Sequence, residues 1–350
     1  MEASQSSLEA GPSRPTVSAA DKWVKPNGPP VGVTFGARTL GEDQDVWEHN
    51  TWDHVELPAD FQTRAAEAIE RQLANPVAQD KRDAYNEDPE RYWNAFYANH
   101  KDQFFKDRSW LRSEFPELIE CSEANAGPKV VLEVGCGAGN SIFTLMKYNE
   151  NPELEVYATD YSSTAVEVVK NNPMFPCPDH GKGKIRASVW DITSEPSSTS
   201  PYGLPDGIEP GSVDVLTVIY VLSALHPSEW ERAIHNLYTA LKPGGLLLLR
   251  DYGRHDLTQL RIKKDRLLDP NVPNLYIRGD GTRVYYFDQD DLTRLLKRPS
   301  EDGAMQEMFE ITQLGEDRRM IVNRKLKLQM FRIWMQVKAR KRAEDDAPKT

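Results

Sequence analysis

Residues 131–141, VLEVGCGAGNS, decide the fold. Val131, Leu132 and Val134 read as the end of a buried strand. Gly135, Gly137 and Gly139 then read as a turn whose backbone can approach a ligand closely before a helix begins. A turn that holds the pyrophosphate of a dinucleotide takes the pattern G-x-G-x-x-G, its third glycine letting helix and strand pack together. Here the glycines alternate, that third position falls on Asn140, and an acid, Glu133, stands two residues before the first glycine. Glu133 would repel a pyrophosphate and suits a ligand that carries an ammonium group.

Downstream of the break Asn125-Ala126-Gly127-Pro128, short apolar runs alternate with helical stretches. Strands are predicted at 130–134, 155–159, 185–189, 213–219 and 246–249, and helices at 140–148, 163–171 and 228–241, the last ending at the stop signal KPGG. Such alternation implies a parallel sheet with helices on both faces and a ligand at the carboxyl ends of the strands. YIRGDGTRVYYF is a hairpin with Asp280-Gly281 at its turn, and apolar runs at 308–314 and 328–337 supply a closing antiparallel pair. The expectation is an α/β fold: a doubly wound, mostly parallel seven-stranded sheet spanning 128–342. A helical extension at 31–127 precedes it, with tails at 1–30 and 343–350. In the extension, helices are predicted over 60–74 behind Asp60, from Asp88-Pro89 through ERYWNAFYANH, and over SWLRSEFPEL.

The glycine spacing with Glu133 resembles the first motif of class I S-adenosylmethionine-dependent methyltransferases. Two further acids follow successive strands. Asp160 closes the second, where it can accept hydrogen bonds from ribose hydroxyls. Asp191 closes the third, where such enzymes place an acid on the adenine amino group. An acid at a strand end is commonly only a helix cap, but three in succession around one turn point to a ligand. S-adenosyl-L-methionine is therefore the expected cofactor.

Composition bounds the partners. A 350-residue chain with 39% hydrophobic and 28% charged residues is globular, and no apolar run approaches the roughly 18 residues of a membrane span. Three cysteines make no disulfide framework, and Cys177 with His180 offers too few ligands for zinc, so no metal is expected. The leading residues lack the pattern of a targeting segment, which reads as a cytoplasmic protein. The net charge is −11, yet residues 318–342 hold a basic run with no acid inside it. Alone, such a run is most simply a solvated face.

The acceptor is suggested by segments outside the glycine turn. ERYWNAFYANHKDQFFKDRSWLRSEFPEL, VLSALHP, LLLLRDYG and YIRGDGTRVYYF together resemble the tRNA N3-methylcytidine methyltransferases of the methyltransferase-like family. The resemblance runs from about Phe35 to the C-terminus, and FGARTLGEDQDVWEHNTWDHVELP resembles the longer branch associated with threonine-type tRNAs. It implies methylation of cytosine 32 in the anticodon loop. Trp93, Tyr97, Gly135, Asp160, Asp191 and Ile219 match its cofactor contacts, and Glu133, Gly137, Gly139 and Ile192 join them from the surrounding motifs. By periodicity alone, Trp93, Phe96 and Tyr97 would be a core stripe.

Cytosine N3 carries an in-plane lone pair, so the reaction needs placement of the base more than a general base. Candidates for that placement are Tyr220, Ser223 and His226 in YVLSALH, and Asp251 and Tyr252 in RDYG; His226 before Pro227 also reads as a helix cap, and Asp251 as a partner of Arg250. Arg38, Lys106, Arg108, Arg278, Arg283, Arg324 and Lys325 would form the belt for tRNA phosphates. Two further readings stay open: a class I methyltransferase on mRNA cytosine or protein, and a cofactor-binding scaffold dependent on a partner. Family members use a cognate aminoacyl-tRNA synthetase or other accessory protein, or a bulky modified adenosine beside the target, and these residues do not choose between those routes.

Overall fold

Five strands form the parallel half of the sheet, β2, β3 and β5 mostly buried on both faces and β4 at the edge with alternate residues exposed: β2 (Lys129–Val134), β3 (Leu154–Asp160), β4 (Lys184–Val189), β5 (Val213–Ile219) and β6 (Leu241–Tyr252). The computed structural model describes residues 38–104, 107–108, 110–299 and 305–342. β2 pairs in parallel with β3 and β5, β3 with β4, and β5 with β6. The order of strand addition therefore reverses between β2 and β5, the switch point at which open sheets bind ligands. The helices that follow β2, β3 and β5 are α6 (Ile142–Lys147), α7 (Ser163–Lys170) and α8 (Trp230–Ala240). Two large apolar clusters, one on each face of the sheet, hold them; Leu132, Leu216 and Leu247 sit in one, Val131, Val215 and Leu248 in the other. KPGG stops α8 as expected, then loops out inside β6: Val213 pairs with Leu241, and two residues later Val215 pairs with Leu246.

The antiparallel half consists of β11 (Phe309–Asn323) and β12 (Leu328–Lys341), with β12 paired to β6. An eighth strand, β1 (Thr51–Asp53), pairs with Arg319–Ile321 and closes that edge, giving the order β1-β11-β12-β6-β5-β2-β3-β4. The seven expected strands are all present. The eighth is three residues long, too short to show a period, and it makes the N-terminal extension part of the sheet rather than purely helical.

In that extension lie α1 (Phe61–Leu73), α2 (Gln79–Glu87), α3 (Pro89–His100), α4 (Leu111–Glu114) and α5 (Pro116–Glu120). Asp88 caps α3 through the Arg91 amide, with Pro89 in the first turn. Asp60 makes no such bond; it pairs with Arg64 instead. The single helix expected over SWLRSEFPEL is two, because Pro116 forces Phe115 out of helical geometry (φ −128°, ψ 65°). The hairpin at Asp280-Gly281 is β7 (Leu275–Ile277) against β8 (Arg283–Tyr285), and α9 (Leu257–Leu260) lies between β6 and that hairpin. β9 (Lys297–Pro299) and β10 (Met305–Glu307) form a second small antiparallel pair ahead of β11.

Candidate active site

All three glycines of the turn have positive φ, 63° at Gly135, 56° at Gly137 and 82° at Gly139. A side chain on any of them would also collide. A Cβ at Gly135 would lie 2.4 Å from Val221 Cγ2, at Gly137 2.6 Å from the Tyr97 hydroxyl, and at Gly139 2.4 Å from the Phe143 ring. The turn is thus pinned from the extension by Tyr97 of α3 and from below by Phe143 of α6. Gly135 lines a cavity, and Gly137 and Gly139 pack against Tyr97 and Phe143.

That cavity encloses about 740 Å³ including its mouth, at the carboxyl ends of β2, β3, β4 and β5. Trp93 and Tyr97 stack 6.1 Å apart at 27° and form one wall. Gly135, Asp160, Asp191 and Ile192 form the floor, and Tyr220, Val221 and Leu225 the side after β5. Tyr161, beside Asp160, and Thr193 also line it and were not singled out in the sequence. Asp160 accepts from the amides of Gly137 and Ser162, each at 2.8 Å, so it ties the glycine turn to the loop after β3. Its burial pushes the carboxyl up to about 6 against those stabilising amides. Asp191 Oδ1 accepts from Thr193, while its Oδ2 takes no hydrogen bond from the described residues.

Glu133 and Ile219 do not line the cavity. Ile219 is packed in the apolar core. Glu133 lies under the turn, 2% exposed, with Oε1 3.4 Å from the Arg108 guanidinium and Oε2 without a partner among the described residues. Burial lifts its carboxyl to about 7, with Arg108 opposing. Arg108 also donates to Ser141 Oγ at 2.8 Å and sits over the Tyr220 ring. It is therefore an internal brace of the turn and not a surface phosphate ligand, the sequence having shown only a cation in a polar stretch. Lys106 lies outside the described residues.

Tyr220 is the first residue after β5 and holds φ 61°, a strained value for a tyrosine. Its ring lies 4.8 Å from that of Tyr252 at the end of β6. Behind this pair, Asp251 is fully buried, accepting from the amides of Ser223 at 3.0 Å and Tyr252 at 2.8 Å. Ser223 and Asp251 thus tie the loop after β5 to the end of β6, and neither reaches the cavity. His226 caps the turn Pro227–Glu229 through the Ser228 amide, the plain alternative the sequence offered.

The basic residues are distributed differently from the belt expected. Arg283 is buried, bonded to the Ala224 carbonyl and to Glu229, and lines the cavity wall. Along 318–342, Arg319 pairs with Asp317, Glu114 and Asp53, Arg332 with Asp256, and Lys338 with Glu117. Arg250 pairs with Asp317 and not with the neighbouring Asp251. Arg324 is exposed and bonds Asn50; Lys325 is exposed beside it at the hairpin tip, and Arg38 is exposed at the start of the described chain. Arg278 lies over the Tyr252 ring at 5.2 Å.

Comparisons with known proteins agree with this geometry. The family model described as a methyltransferase domain matches residues 98–298. The tRNA N(3)-methylcytidine methyltransferase of Schizosaccharomyces pombe is 45% identical over 311 residues, covering 89% of this chain and 93% of its own. The chain belongs to the tRNA N3-methylcytidine methyltransferase family. The tRNA(Thr) (cytosine(32)-N(3))-methyltransferase of Saccharomyces cerevisiae is 45% identical over 302 residues, 86% of this chain; the chain spans 45% of that longer relative. A human tRNA N(3)-cytidine methyltransferase is 34% identical over 372 residues, 87% of this chain and 92% of its own.

Membership in this methyltransferase family makes S-adenosylmethionine the methyl donor, and the cavity has the donor set for it. Carboxylates stand ready for hydroxyl and amino groups, Asp191 Oδ2 is unengaged among the described residues, and stacked aromatic rings offer their faces to a cation. Among the described residues, no helix is long and apolar enough to cross a membrane.

Proposed function

We propose that this enzyme methylates N3 of cytosine 32 in the anticodon loop of tRNA, with threonine-type tRNAs as its substrates. The observation that carries the reading is the tyrosine pair: Tyr220 lines the cavity at the glycine turn, and Tyr252 continues from it away from that cavity. A base unstacked from a loop needs such an aromatic surface.

When bound, S-adenosylmethionine supplies an electrophilic methyl on a sulfonium. Trp93, Tyr97, Gly135, Asp160, Asp191 and Ile192 would hold it, Asp160 accepting from the ribose hydroxyls and Asp191 from the adenine amino group. Glu133 acts one layer below, its carboxylate and Arg108 setting the shape of the turn. Tyr220 and Tyr252 hold the base so that its N3 lone pair meets the methyl in line. Methyl transfer leaves a positive charge on the base, and the faces of the two tyrosines lower its energy. Asp251 and Ser223 act as positioning residues for that pair, through the amides they join. The extension contributes the aromatic wall through Trp93 and Tyr97, and the unit that follows it contributes the glycine turn.

Nucleoside mass spectrometry on threonine-type tRNA incubated with pure protein and donor tests the reading. N3-methylcytidine at position 32 without any added protein is the expected product. Its appearance only with an added synthetase or other accessory protein would make this a dependent enzyme. No methylated nucleoside under either condition would sink the proposal.

A further inference from the structure

Beyond the tyrosine pair lies a second cavity of about 930 Å³ including its mouth, whose wall includes Tyr252, Thr258 and Tyr286. Its charged residues are all cations: Arg261, Lys263, Arg266, Arg278 and Arg332. Only Arg332 is neutralised, by Asp256 at 2.8 Å. Arg261, Lys263, Arg266 and Arg278 make no ion pair among the described residues, and no carboxylate lines the cavity. A third cavity adjoins it through Ile262 and Lys263 and adds Arg71 and Lys264, again without an acid. Seven cations without a lining carboxylate, on a chain of net charge −11, form a local field that the composition conceals. Like charges gathered this closely repel one another, so the arrangement favours an anion.

Four separate pieces of chain build it: Arg71 from α1, the loop from Arg261 to Arg266 after α9, Arg278 from the hairpin and Arg332 from β12. The loop is held in place by the Asp265 amide, which donates to the Asn75 carbonyl at 2.8 Å, and by the Arg266 guanidinium, which donates to the Arg278 carbonyl at 3.1 Å.

We infer that these adjoining cavities bind the phosphodiester backbone of the RNA strand that carries the target base. The inference rests on the proposed function and names the strand's anion site. Tyr252 is the link: one ring belongs to the basic cavity and also meets Tyr220, whose other side faces the cavity at the glycine turn. A base laid on the tyrosine pair would have its own strand leaving over Arg278 and Arg261. Guanidinium groups bind phosphate oxygens in pairs, while the Thr258 hydroxyl is engaged with Asp256 and Tyr286.

The test uses the full chain and a tRNA, with affinity followed by fluorescence anisotropy across a salt series. Arg261→Ala with Lys263→Ala removes two exposed cations that have no ion-pair partner among the described residues. The double variant is expected to bind tRNA about tenfold or more weakly at low salt. Its salt slope should fall by roughly 0.7 for each single-strand phosphate that no longer meets a cation. Donor affinity should stay at the wild-type value, and Arg261→Lys with Lys263→Arg should restore most of the tRNA binding. Wild-type tRNA affinity and salt slope in the double variant would overturn the inference. So would an equal loss from Lys170→Ala with Arg186→Ala, around the opposite edge of the sheet, because a diffuse charge effect would then suffice. Methylation by the wild type is scored separately: absence of N3-methylcytidine there fails the proposed function, while the binding result alone decides the cavity.

Discussion

The cavity at the glycine turn takes much of its lining from residues at or just after the ends of β2, β3, β4 and β5. The basic cavity takes its cations from α1, a loop after α9, a hairpin and β12, separated by up to 261 positions between Arg71 and Arg332. One site is acidic and closed by aromatic rings; the other is basic and floored by tyrosines. The difference lies in what each must hold. A ligand gripped at the ends of consecutive strands can be encoded by short motifs, because the parallel sheet brings those ends together automatically. A surface that follows an extended polyanion has no such register, so its residues come from wherever the fold passes.

The contrast is broken most severely through Arg108, which looks like a member of the basic surface and sits under the glycine turn against Glu133. Arg108→Ala leaves Glu133 buried with no cation, and unfolding by denaturant at pH 9, where protonating a carboxyl raised to about 7 is unfavourable, is expected to show a loss of about 3 kcal/mol. Arg108→Ala combined with Glu133→Gln should recover much of it. A loss below about 0.5 kcal/mol would place Arg108 among ordinary surface charges.

Next in size is Asp160→Asn, expected to weaken donor binding about tenfold or more by calorimetry while leaving tRNA affinity in place. The same residue sets a pH dependence. Its carboxyl is raised from 3.8 to about 6, so it is charged at pH 8 and protonated at pH 5. Donor affinity should therefore be greatest above pH 7 and decline as pH falls through 6, an effect reduced in Asp160→Asn. In the protein without donor the sign is opposite. A carboxyl raised by burial contributes stability below its ordinary value and loses that contribution as pH rises through about 6. A donor affinity flat between pH 5 and 8 would remove Asp160 from contact with the donor.

Gly137→Ala is smaller: backbone strain and the 2.6 Å approach to the Tyr97 hydroxyl should cost about 1–3 kcal/mol of stability. Adding Tyr97→Phe should relieve part of that cost, a coupling visible in a double-mutant cycle. Additive effects would mean that the hydroxyl does not limit the turn. Smallest is Arg324→Glu with Lys325→Glu, at the hairpin tip away from the basic cavity. It should weaken tRNA binding at low salt by a few-fold at most, with no change in donor affinity. A larger loss than that of the Arg261 and Lys263 pair would reverse the ranking of the two basic regions.

Much of the acidic site was legible. Glu133, Asp160 and Asp191 each follow an apolar run, and the strand ends lie where the pattern put them, within one or two residues. The depth of each residue was not legible. Gly135 and Gly137 look alike in the sequence, yet one faces the cavity and the other faces Tyr97, because which side of a turn is open depends on what packs against it. The basic run at 318–342 misled for a related reason. A strand alternates its side chains between two faces, and the inward ones meet acids from α4, α5 and the loop after β6 that are far away in the sequence. The loop from Arg261 to Arg266 has no period and no motif, so nothing in it announced a site.

By itself, then, the sequence determined the alternation of strands and helices, the glycine turn and its three acids, since each depends on residues within a few positions of one another. The tertiary structure alone decided that Glu133 is braced by Arg108, that Tyr220 and Tyr252 join two cavities, and which cations stay unpaired. Those outcomes depend on burial and on partners distant in the chain, and a charge is neutralised or left free only after the sheet has brought them together.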